Sequence, residues 1–82
     1  MNEASLLPYK TIKDLPENVR NVLPEHAQHI YLEAYNNAWE QYKDPKKRKL
    51  GLTREETAHA VAWAAVKKEY RKDESGLKWV SI

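Results

Sequence analysis

Eighty-two residues, 41% hydrophobic and 32% charged, make one small globular domain and exclude a second independent core. With no cysteine, the chain can form no disulfide framework, thiolate nucleophile or cysteine-based zinc, iron–sulfur or c-type haem site. Its formal charge of +2 lacks the strongly basic excess of an obligate nucleic-acid binder.

In chain order, residues 1–8 show no hydrophobic period and read as a flexible lead-in, with the domain occupying residues 9–82. Tyr9 to Lys13 alternates in strand fashion. Asp14-Leu15-Pro16-Glu17 then reads as a helix start, with Asp14 as cap, Pro16 in the first turn and Glu17 at the capping-box position. That helix is short because Pro24 disfavours helical geometry at Leu23, and Val19, Val22 and Leu23 form its apolar face.

From Pro24 to about Tyr42, the residues Ala27, Ile30, Tyr31, Ala34, Tyr35, Ala38, Trp39 and Tyr42 make a nearly unbroken stripe at the helical period. A face this apolar must be buried. The following stretch, Pro45 to Leu52, reads as a mobile connection, too polar to pack as a unit. It lies in a local basic cluster: Lys43, Lys46, Lys47, Arg48, Lys49 and Arg54 stand against Asp44 alone.

Thr53 and Glu56 then form a capping box for a third helix, expected to reach about Lys72. Its interior, Thr57 to Val66, is apolar nearly all round, which predicts a central helix contacted on more than one side. Asp73 to Gly76 reads as a turn, and Leu77 to Ile82 alternates as a strand whose expected partner is Tyr9 to Lys13. The fold class is therefore mainly α: a small three-helix domain with a minor two-stranded sheet joining the N- and C-terminal segments. Ile30, Ala34, Trp39, Val61, Ala62, Trp63, Ala65 and Val66 are the expected core, with Trp39 and Trp63 packed near one another. Trp79 either covers a helix or stays partly exposed.

Candidate chemistry is sparse. His26 and His29 with Glu33 share a helix face and could chelate a divalent metal, but a solvated polar face explains them as well and carries more weight. Glu55 and His59 lie one turn apart, a spacing an acid–base pair could use, although His59 beside an alanine-rich face reads better as a packing residue. No serine lies in a nucleophile-elbow setting, and with Gly51 and Gly76 as the only glycines a phosphate-cradling loop is excluded. A domain of this size buries about 60 to 65% of its unfolded surface, so little apolar material is left for a deep pocket. No enzyme activity, metal, cofactor or small-molecule substrate is expected. The polar start MNEASLLP and the absence of a run of ~20 apolar residues point to a soluble, cytoplasmic protein. The residues left for function are the basic loop Lys46, Lys47, Arg48 and Lys49, together with Lys67, Lys68 and Arg71. They could meet an acidic protein patch, an anionic membrane surface or nucleic acid, or serve only as a solvated loop and a helix end.

The segments Pro8-Tyr9-Lys10-Thr11, Asp14-Leu15-Pro16-Glu17, Leu23-Pro24-Glu25-His26-Ala27-Gln28 with Ile30-Tyr31, Asn37-Ala38-Trp39, Arg54 to His59 and Val61 to Lys67 together resemble the ChaB family of cation transport regulators. The resemblance implies a small bacterial-type cytosolic protein of helices and a minor sheet, thought to regulate a sodium/calcium–proton antiporter. A DNA-binding role proposed for viral relatives supplies the alternative. His29 and the basic run Lys46 to Lys49 depart from the family pattern, which is more acidic at both places.

Overall fold

The computed structural model describes residues 7–82; most of the expected lead-in therefore lies outside the described residues. The elements are three helices, α1 (Glu17–Arg20), α2 (Glu25–Gln41) and α3 (Arg54–Lys67), and two strands, β1 (Tyr70–Lys72) and β2 (Trp79–Ser81). Single 3₁₀ turns, Ile12–Asp14 and Pro45–Lys47, precede α1 and separate α2 from α3. Pairing is antiparallel, with Tyr70 opposite Ser81, Arg71 opposite Val80 and Lys72 opposite Trp79.

The N-terminal segment is not a strand. Thr11 opens a 3₁₀ turn, and the Asp14 carboxylate accepts from the backbone N–H groups of Lys10 (3.2 Å) and Thr11 (3.1 Å). Asp14 therefore satisfies donors behind it instead of capping α1, whose N-cap is Pro16. Tyr9 does find a strand-like partner, but it is a side chain. Asn36 Nδ2 donates to the Tyr9 carbonyl at 2.7 Å, and the Tyr9 N–H donates to Asn36 Oδ1 at 3.3 Å. One buried amide thus pairs both backbone groups that a sheet would have paired.

α1 is one turn long, but its apolar side matters: Val19 is almost wholly buried, as are Leu15 before it and Leu23 after it. The corner into α2 is closed by Gln28 Nε2, which donates to the carbonyls of Leu23 (2.9 Å) and Arg20 (3.3 Å). Pro24 is the N-cap of α2, and the stripe buries Ala27, Tyr31, Tyr35 and Ala38. Ile30, Ala34 and Trp39 pack half-buried against the same core.

α3 begins as the capping box requires. Thr53 Oγ1 accepts from the Glu56 N–H at 3.0 Å, and the Thr53 N–H donates to Glu56 Oε1 at 3.0 Å. Hydrogen bonding to the carboxylate, from the Thr53 backbone N–H first and its side chain second, holds the Glu56 carboxyl below its usual range. α3 lays Ala58, Ala62 and Val66 on α2, with Val61 and Trp63 half-buried at the edges and Ala65 partly covered. It is not the central helix, since Ala60 and Ala64 face solvent; α2 occupies the centre, packed by α1, the first 3₁₀ turn and α3. Alanine reads as apolar but has too little surface for its exposure to cost much.

The third helix also ends a full turn earlier than its periodicity suggests. After Lys67 and a short turn, Tyr70 to Lys72 peels away as β1 because its partner β2 is nearby in sequence. Gly76, at φ +72°, and a Ser75 hydroxyl donated to the Asp73 carboxylate shape the hairpin turn. That hydroxyl is the main reason the Asp73 carboxyl titrates below its usual range. The sheet is thus a local hairpin, not a pairing of the chain ends.

Candidate functional site

The basic loop is built, not loose. Asp44 caps the turn Pro45–Lys47 by accepting from the Lys46 N–H at 3.0 Å. Half-buried Arg48 reaches back to the C-terminal end of α2, its Nη1 donating to the carbonyls of Tyr42 (2.9 Å) and Lys43 (3.5 Å). A cation there satisfies otherwise orphaned carbonyls and complements the negative end of the helix dipole. Next, the Leu52 N–H donates to the Lys49 carbonyl at 3.1 Å, with Gly51 at φ +86°, the conformation a type II turn requires at that position. The loop is thereby pinned at both ends of the lysine run.

Not all of its charge is free. Glu40 pairs with both Lys43 and Arg54 at 3.7 Å. The Arg54 guanidinium also lies 4.0 Å over the Trp39 ring and donates Nε to the Trp39 carbonyl at 2.8 Å. Lys46, Lys47 and Lys49 remain exposed and without an ion-pair partner among the described residues. Leu50, between them and Gly51, is fully exposed.

The other predicted cations face elsewhere. Lys67 lines an open groove with Trp63, Lys72, Leu77 and Trp79, whereas Lys68 flanks a smaller one with His26 and Tyr70. Arg71 is exposed on β1. Lys47, Arg48 and Lys49 border a third groove, along Val61 and Ala64. The loop cations therefore share no groove with Lys67 or Lys68.

Both histidines within the family-like motifs hold tyrosine hydroxyls. His26 Nδ1 is 2.9 Å from the Tyr70 hydroxyl, and His59 Nδ1 is 2.8 Å from that of Tyr31. His29 is exposed, and no group of three or more metal-ligating side chains occurs among the described residues. Glu55 and His59 border an open groove with Tyr9, Tyr31 and Tyr35. Burial, with smaller contributions from Tyr9 and Glu55, pushes the Tyr35 hydroxyl up to about 12; burial likewise raises that of Tyr31. These phenols stay protonated at neutral pH and act as packing groups.

The aromatic residues form a continuous ladder that the helical periods alone did not order. Trp39 stacks on Tyr35 at 6.2 Å, Tyr35 on Tyr31 at 5.9 Å, Tyr31 meets Trp63 edge-on at 5.5 Å, and Trp63 packs on Trp79 at 5.2 Å. Trp39 and Trp63 are accordingly not neighbours; two tyrosines separate them. Sequence reasoning missed Asn36 and Tyr70, whose roles depend on groups distant in the chain, and no local pattern marks them.

Comparison with known proteins agrees with this geometry. A sequence model of the ChaB family matches residues 15–81. The chain is 62% identical over 73 residues to the "Putative cation transport regulator ChaB" of Escherichia coli K12, covering 89% of this chain and 95% of that protein. The like-named protein of Shigella flexneri matches to the same extent. A solution NMR structure of the "putative cation transport regulator ChaB" superposes with a TM-score of 0.76 at 60% identity, covering 92% of this chain and 99% of that one. With its helices, its hairpin and most of its length so matched, the chain belongs to the ChaB family.

Proposed function

We propose that the chain is a non-catalytic, cytoplasmic regulator of a cation transporter, namely a sodium/calcium–proton antiporter, and that it acts through its surface. The observation carrying this reading is its 62% identity to the Escherichia coli protein named as a cation transport regulator. The geometry supports it: His26 and His59 are engaged with tyrosine hydroxyls, and the Glu56 carboxylate with its helix cap. The test is cation–proton exchange in everted membrane vesicles carrying the antiporter, with and without added protein. A changed rate or half-saturating cation concentration is expected; superimposable exchange curves at saturating protein would sink the reading.

A second reading, a small DNA-binding accessory protein, draws on Lys46, Lys47 and Lys49, which lack ion-pair partners among the described residues. Binding through them would weaken steeply between low and physiological salt in a mobility-shift assay. Retention of DNA by a variant with all three lysines changed to alanine would remove this alternative.

A further inference from the structure

We propose that the loop from Lys46 to Leu50 is a docking device for an anionic lipid bilayer, with Leu50 entering the headgroup region and Lys46, Lys47 and Lys49 contacting the lipid phosphates. This deepens, and rests on, the reading of the chain as a regulator working beside a membrane transporter. The argument starts from charge accounting within the loop. Of the six basic residues from Lys43 to Arg54, three are committed: Lys43 and Arg54 to Glu40, and Arg48 to the carbonyls ending α2. The only acid of the stretch, Asp44, is held as a cap. Three lysines are left beside a leucine that makes no use of the core.

The backbone presents this arrangement in a defined conformation. Arg48 anchors one side and the Lys49–Leu52 turn the other, so Leu50 projects from a turn closed by a hydrogen bond. An exposed leucine is unremarkable by itself. Next to three lysines that have no ion-pair partner among the described residues, it offers what an anionic bilayer rewards: cations at the phosphate level and an apolar tip just below it. A duplex backbone would use the lysines and leave the leucine idle. Leu77 is also exposed and has Lys67 and Lys72 at its groove, but its own turn, residues 73–78, carries Asp73 and Glu74 against Lys78 alone, whereas Lys46 to Leu50 carries no acid. Three lysines and one leucine give a weak, reversible and salt-sensitive attachment, not an anchor.

The chain has no native cysteine, so Leu50→Cys and, as a control in the hairpin turn, Glu74→Cys each accept a single environment-sensitive fluorophore. Both positions are exposed, so folding is preserved, as circular dichroism would verify. The probes are vesicles of phosphatidylcholine alone and of phosphatidylcholine with one third phosphatidylglycerol. The expected result is a blue shift at position 50, not 74, with the anionic vesicles only. Changing Lys46, Lys47 and Lys49 to Glu should lower partitioning about tenfold or more, and Leu50→Ser severalfold. Equal behaviour with neutral vesicles, a label at position 50 that stays in water, or lysines needed for duplex DNA while lipid is ignored would each overturn the proposal. Because the vesicles contain no transporter, failure here with a positive exchange assay would leave the regulatory reading standing.

Discussion

Tyr31 is the largest fully buried side chain among the described residues, and two substitutions separate what its ring does from what its hydroxyl does. The residue is 1% exposed, and its ring meets Trp63 at 5.5 Å, Tyr35 at 5.9 Å and His59 at 6.1 Å. Truncating a fully buried aromatic to alanine costs about 3 to 5 kcal/mol. A chain of 82 residues has a stability of only about 4 to 12 kcal/mol. Tyr31→Ala should therefore leave a domain that is marginal or unfolded. Tyr31→Phe keeps the ring and removes only the hydroxyl that bonds His59 Nδ1 at 2.8 Å. His59 is exposed and can turn to water, so this variant should lose about 1 kcal/mol. Urea denaturation followed by far-UV circular dichroism measures both. Tryptophan fluorescence serves as a second probe because Trp63 reports directly on Tyr31. If Tyr31→Phe cost as much as Tyr31→Ala, the hydrogen bond and not the packing would carry the stability. If Tyr31→Ala cost under about 1.5 kcal/mol, the ladder would be ornamental and the ring argument wrong.

Alkaline pH should destabilise the fold. The folded Tyr35 hydroxyl titrates up at about 12, and Tyr31 is raised too, while the unfolded chain releases these protons near the ordinary value of 10. Their contribution is thus complete below about pH 10 and declines as pH rises through about 12; melting temperatures that stayed level over that window would contradict it. Asn36→Ala leaves the Tyr9 N–H and carbonyl without partners and should cost about 1 to 3 kcal/mol, with faster hydrogen exchange at Tyr9 as its local signature. Thr53→Ala removes the cap of α3 and should cost about 1 kcal/mol in a thermal melt, whereas Thr53→Ser should retain most of it.

The amino-acid sequence by itself determined the elements whose signals are local. The α2 stripe, Pro24 at its start and the Thr53–Glu56 box at the head of α3 involve residues within one or two turns of each other. Helical geometry repeats them without reference to the rest of the chain. The lysine run was equally plain, but not which of its charges stay unpaired. That depends on Glu40 meeting Lys43 and Arg54, and on Arg48 finding the end of α2.

Only the tertiary structure decided the pairing of extended segments. Tyr9 to Lys13 has the more strand-like composition and Tyr70 to Lys72 reads as the end of a helix, yet the second pairs with Trp79 to Ser81 across a short turn. The first is met by the side chain of Asn36 instead. Closing the short loop costs less chain entropy than joining the two ends of the domain. An amide already buried on α2 removes the remaining need for a partner. Tertiary packing likewise ordered the aromatic ladder and left Ala60 and Ala64 of α3 in water, because burial follows which surfaces meet and not how apolar a stretch reads.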